Sequence, residues 1–137
     1  MPAPTPAGLK LLRDERILEV RYADGLLYRL PAEYLRVFSP SAEVRGHGLE
    51  EPVLVPGKSE VAIDQIVPVG RYAVRLVFSD GHDTGLFTWE SFWELGSQQE
   101  ANWARYEARL KEHGMSRQIN VTKLSALPKI YTPKTGG

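Results

Sequence analysis

The chain has 137 residues, enough for one domain with a modest core of its own. Acids and bases balance at 17 each, so no global field is aimed at nucleic acid or a membrane, and an apolar content of 42% is that of an ordinary globular protein. Without cysteine there are no disulfides, thiolate nucleophiles, thiolate-held iron–sulfur clusters or sulfur-ligated zinc sites, and no apolar run approaches the ~20 residues of a membrane span.

Residues 1–9, MPAPTPAGL, are rich in proline and alanine and read as a flexible N-terminus. They lack a charged start followed by an apolar stretch, so no signal peptide is expected and the cytoplasm is the default location. Ile17, Glu19 and Arg21 then alternate with Leu18, Val20 and Tyr22, the period of a half-buried strand. Asp24-Gly25 marks a tight hairpin, and Leu26, Tyr28 and Leu30 alternate in the return strand. Pro31 opens a short helix over PAEYLRVF, where its missing N–H costs nothing. A loop follows through SPSAEVRGHG, and residues 49–59, with two prolines and a glycine, read as a surface excursion.

Val61, Ile63 and Ile66 begin a second β region that Gly70 breaks. From Arg71 to Phe78 the chain alternates again, with Tyr72, Val74, Leu76 and Phe78 expected on one face. Asp80-Gly81 repeats the hairpin signal, Gly85 to Thr88 returns, and Thr88 is placed to cap a helix carrying Trp89, Phe92 and Trp93. Gly96-Ser97 interrupts before a helix over about residues 98–112, with Trp103, Tyr106 and Leu110 on one stripe and Gly114 as its stop. The helical spacing of residues 89, 92, 93, 103 and 106 reads as core or interface rather than a base-stacking platform. The chain closes on a basic, flexible tail over 116–137, where Arg117, Lys123, Lys129 and Lys134 meet no acid; the rest holds 13 bases against 17 acids.

The strings YADGLLYRLPAEYL and FSDGHDTGLFTWESFW share one plan: aromatic, Asp-Gly turn, return strand, short helix. The expected architecture is therefore α+β, a small, mostly antiparallel domain over residues 10–115. It consists of two hairpin-plus-helix units, their hairpins joined in one sheet under both helices, with a C-terminal helix and an extended tail.

The chemistry has few candidates. There is no G-x-S-x-G elbow and no G-x-x-x-x-G-K-S/T phosphate loop, and position 84 after His82 is threonine, which breaks the His-x-Asp/Glu pattern of a facial iron triad. His113 falls at a helix C-terminus, where the dipole favours it. His47 and His82 lie in glycine-flanked loops, and with Asp80 or Asp83 they could hold a metal if the loops converge. The alternative is that Asp80 and His82 settle the turn by local hydrogen bonds. Arg45 could bind an anion or pair with Glu43 or Asp80.

Taken together, LPAEYLR, SPSAEVRGHG and DGHDTGLFTWE give residues 10–96 a resemblance to the gamma-butyrobetaine hydroxylase-like N-terminal domain family. The resemblance implies a small α+β domain found alone in bacteria, and also fused to carnitine-pathway dioxygenases or to Mrp-type iron–sulfur carrier ATPases. In the dioxygenase branch the domain holds a structural zinc through C-x-C-x-x-C after the short helix and one histidine. The matching positions here are Ser39, Ser41, Val44 and His82, so the zinc site is expected to be lost and His82 to contact the Ser39–Val44 segment. The resulting expectation is a non-catalytic binding or adaptor domain without a cofactor. Its ligand or protein partner would meet Arg45, His47, Asp80, His82 and Asp83, and the partner class hinted at is 2-oxoglutarate oxygenases or iron–sulfur machinery. The alternatives are a small iron or zinc protein using His47 and His82, and a homodimeric scaffold built on the helix aromatics.

Overall fold

A computed structural model describes residues 3–39 and 54–118. Two units of the same plan follow one another. The first runs β1 (Gly8–Leu12), β2 (Ile17–Arg21), β3 (Leu27–Pro31) and α1 (Ala32–Val37); the second runs β4 (Ile63–Val69), β5 (Ala73–Phe78), β6 (Gly85–Thr88) and α2 (Trp89–Ser97). A longer helix, α3 (Gln99–Glu112), completes the described fold. Each unit is thus a three-stranded antiparallel meander that ends in a helix, with strand orders β1-β2-β3 and β4-β5-β6.

The α+β class is as expected, but the hairpins form two sheets rather than one. Pro31 ends β3 and Pro68 sits in β4, both edge strands here; proline has no ladder donor and is tolerated at such edges. The other addition is β1, which pairs Gly8–Leu12 against Ile17–Arg21 and begins inside the stretch read as a loose terminus. The Ala7 N–H already donates to the Arg21 carbonyl at 2.6 Å.

The two Asp-Gly turns are built from the same hydrogen bonds. In the first, Tyr22 N–H reaches the Leu26 carbonyl, Gly25 N–H reaches Tyr22, and Leu26 N–H donates to Asp24 Oδ1. In the second, Phe78 N–H reaches His82, Gly81 N–H reaches Phe78, and His82 N–H donates to Asp80 Oδ1. Gly25 and Gly81 adopt φ of 97° and 95°, which a side chain would strain. Beyond each turn, Leu30 and Phe87, next to last in their return strands, are fully buried, and Leu35 and Phe92 are the fully buried anchors of α1 and α2.

The main core joins both units through Leu18, Val20, Leu30, Tyr34, Leu35, Leu76, Phe78, Phe87 and Phe92. Tyr72 departs from the face expected of it. It is 56% exposed, because β5 starts at Ala73 and Tyr72 belongs to the preceding turn, where its carbonyl accepts the Trp89 N–H. Thr88 caps α2 as expected, its Oγ1 accepting from Ser91 N–H at 3.0 Å. The ring of Tyr28 lies over Gly96 so closely that a Cβ there would fall 2.1 Å from it, and this contact lets α2 settle on β3. Trp93, partly buried, packs edge-on against Tyr22 and Tyr28 and so against the chain's own core. On α3, Tyr106 and Leu110 are buried with Val37 in a second, smaller cluster, flanked by Phe38, Leu54, Val55 and Trp103.

Tyr34 ties the three helices together. Its hydroxyl donates to the Leu95 carbonyl at 2.7 Å and accepts from Asn102 Nδ2 at 3.1 Å, and burial pushes the phenol up despite the Asn102 bond. Tyr34→Phe is expected to cost about 1–2 kcal/mol, since Asn102 loses its acceptor in a part-buried setting. Urea unfolding should show a lower midpoint at unchanged slope.

Candidate functional site

The second hairpin is fastened to the rest of the chain on several sides. Asp80 Oδ2 accepts from Arg36 Nε of α1 at 2.9 Å and from Lys58 Nζ at 2.6 Å, while Oδ1 takes the His82 N–H of its own turn. Ser79 adds a second tie to the strand entry: its N–H donates to the Ala62 carbonyl, and its Oγ accepts the Ala62 N–H. Arg75 Nη1 donates to the Asp83 carbonyl at 2.9 Å, which braces the turn from β5. Among the described residues, Asp80 therefore pairs with Arg36 and Lys58; Arg45, the partner considered from sequence, lies outside them.

Burial alone would push the Asp80 carboxyl up, but the bonds from Lys58 and the His82 N–H, together with the Arg36 charge, outweigh it. The result is a pKa lowered from 3.8 to about 2. A depressed carboxylate stabilises the fold at pH values above its unfolded value, and that contribution is lost as pH falls through the folded one. Asp80→Asn is therefore expected to be less stable than the parent by about 1–2 kcal/mol at pH 5, after allowance for solvent screening at a side chain one-fifth exposed. The gap between the two should close on acidification from pH 3.8 towards 2, as read from denaturant midpoints in a pH series.

The expected approach of His82 to the segment after α1 is present at its first residue. His82 Nε2 lies 3.0 Å from Ser39 Oγ, the direction of the hydrogen bond following the imidazole tautomer. Ser39 is buried and packs onto β6 so tightly that a Cβ at Gly85 would fall 2.1 Å from its Oγ. Ser41, Val44, Arg45 and His47 lie outside the described residues. The donors at these positions do not fit a structural zinc. The ring nitrogen of His82 is engaged by a hydroxyl, serine is a poor zinc ligand at neutral pH, and no position in the chain supplies a thiolate. Among the described residues no three His, Asp or Glu side chains form a metal cage, and no helix is long and apolar enough to cross a membrane.

A second polar cluster lies at the opposite end of α1. Glu33, buried in the helix's first turn, takes Arg117 in a two-pronged pair at 2.9 Å for each bond, and the Arg117 guanidinium stands 5.3 Å over the Trp103 ring. The Glu33 hydrogen bond raises the Arg117 pKa against the opposing effect of burial. The backbone joins in, with Gly57 N–H donating to Ser116 and Ser59 N–H to Arg117. Residues 116–118, assigned from sequence to the flexible tail, are thus partly built into the domain. The pair escaped the sequence reading because 84 positions separate its members; a glutamate inside the otherwise apolar PAEYL was the one available signal.

Two three-stranded meanders, each closed by a helix around a shared core, define a small α+β domain whose polar residues pin its loops together. The chain belongs to the gamma-butyrobetaine hydroxylase-like N-terminal family, whose profile matches residues 9–92. It is similar to two proteins solved in solution by NMR. One is 44% identical with a TM-score of 0.76, covering 87% of this chain and 94% of the other; the second is 50% identical with a TM-score of 0.73, covering 84% and 86%. A crystallised protein of unknown function from Acidithiobacillus ferrooxidans, placed in the DUF971 family, is 43% identical with a TM-score of 0.57 over 67% of this chain and 92% of its own. No curated protein matches.

Proposed function

We propose that the chain is a non-catalytic docking domain whose contact face is the Asp80–Gly85 hairpin and the segment that follows α1. The observation that supports this reading is how the polar groups of the hairpin are used. A general base or nucleophile must turn a lone pair towards its substrate. Here the Asp80 carboxylate is bonded to Arg36, Lys58 and its own turn, and the His82 ring nitrogen to Ser39. These bonds hold the hairpin in one conformation, so a partner can dock with little further loss of side-chain and loop freedom. The resemblance points to a protein partner among 2-oxoglutarate oxygenases or iron–sulfur cluster machinery.

Asp83 provides the test, because its carbonyl braces the turn while the residue itself is exposed. Full-length chain and its Asp83→Lys variant are used as baits in native lysate, with Lys10→Glu on β1 as a surface-charge control. A discrete protein retained by the parent and by the control but lost with Asp83→Lys supports the docking face; equal capture by all three overturns it. Elemental analysis of untagged protein separates the metalloprotein alternative: stoichiometric iron or zinc that disappears in His82→Ala would replace the docking reading. Sedimentation as a function of concentration does the same for the homodimer.

A further inference from the structure

Between the start of α1 and the length of α3 runs a groove of about 770 Å³, the size of a site that takes a small ligand or a few peptide side chains. Trp103 and Tyr34 supply its aromatic surface, and Glu33, Glu100, Glu107 and Arg117 its charges. Arg117 is spent on Glu33 at 2.9 Å and stands 3.9 Å from Glu107, so the acids of the groove outnumber its base. Glu100 and Glu107 are both exposed. A cation already rests on this surface: the guanidinium of Arg117 sits over the Trp103 ring.

We propose that this groove seats the chain's own C-terminal segment, residues 119–137, through its lysines. That segment leaves the described fold one residue beyond Arg117, itself part of the groove wall. It carries Lys123, Lys129 and Lys134 and no acid, with Val121 before the first lysine and Leu124, Leu127 and Ile130 between them. Lys123 lies six positions beyond Arg117, an extended reach of about 20 Å, so the first lysine can meet Glu107 or Glu100 without moving the fold. The covalent tether gives the segment a millimolar effective concentration at the groove, which favours it over a free basic peptide of equal affinity. Because the contact relies on exposed carboxylates, salt weakens it. The surface is separate from the Asp80 hairpin and does not depend on the docking function proposed there.

The cysteine-free sequence makes the experiment clean. Ser125→Cys introduces a single thiol for a nitroxide label in the full-length, ¹⁵N-labelled chain, and the chain's three tryptophans give three indole N–H signals. Trp103 lines the groove, whereas Trp89 donates its indole N–H to the Arg71 carbonyl and Trp93 packs on Tyr22 and Tyr28. The expected result is a Trp103 signal attenuated several-fold more than those of Trp89 and Trp93. The selectivity should vanish in the Glu100→Gln/Glu107→Gln double variant while the Trp89 and Trp93 signals stay in place. Equal attenuation of all three signals, or selectivity that survives the double variant, overturns the proposal. So does attenuation of a ¹⁵N chain by a separate spin-labelled ¹⁴N chain, which would make the occupant a second copy.

Discussion

Replacing Phe92 with alanine is expected to remove about 3–5 kcal/mol of folding stability, the range for a fully buried phenylalanine whose cavity cannot close. Phe92 is 0% exposed, stacked 5.6 Å from Phe87 of β6 and 6.3 Å from Trp89. Its neighbours are set by β6 and by the Thr88 cap, so they cannot slide in to fill the space. For a domain whose total is of the order of 5–15 kcal/mol, the melting temperature should fall by roughly 10–20 °C. Phe92→Leu keeps most of the volume and should cost about 1 kcal/mol or a little more. A loss in Phe92→Ala no larger than in Phe92→Leu would show that α2 is held by its rim and not by this side chain.

The local signals of the fold were legible because they are short in range. Asp24-Gly25 and Asp80-Gly81 announce turns that need positive φ, and Thr88 and the Trp103–Tyr106–Leu110 stripe announce a cap and a buried face; each appears where it was read. What was not legible depends on residues far apart. GLKLL has no strict alternation and is only half-buried as an edge strand, so β1 becomes visible only beside β2. Whether two hairpins share a sheet depends on which edges meet, and nothing in either hairpin encodes that. At the candidate site the turn and the Ser39–His82 approach were foreseen. Arg36 and Lys58 were not, because they reach Asp80 from 44 and 22 residues away.

The same long-range logic makes Arg117 the next most consequential side chain. Arg117→Ala is expected to cost about 2–4 kcal/mol, less than a fully enclosed pair because the guanidinium is partly in water. Glu33→Ala should cost clearly less. The asymmetry follows from burial: the Glu33 side chain is 8% exposed and that of Arg117 36%. Removing the arginine strands a carboxylate away from water, whereas removing the glutamate leaves a cation that still has solvent, the Trp103 ring and Glu107 nearby. The comparison isolates the side chain, since the Ser59 N–H bond to the Arg117 carbonyl is a backbone contact and survives either change. A Glu33→Leu/Arg117→Ala double variant should recover much of the loss, because no charge is then left buried, and a double-mutant cycle in urea with Glu33→Leu and Arg117→Ala as its single changes gives the coupling directly. Equal costs for the two single changes would mean that Arg117 acts through its packing on Trp103 rather than by neutralising Glu33. In that case the end of α3 would be held to α1 by apolar contact alone.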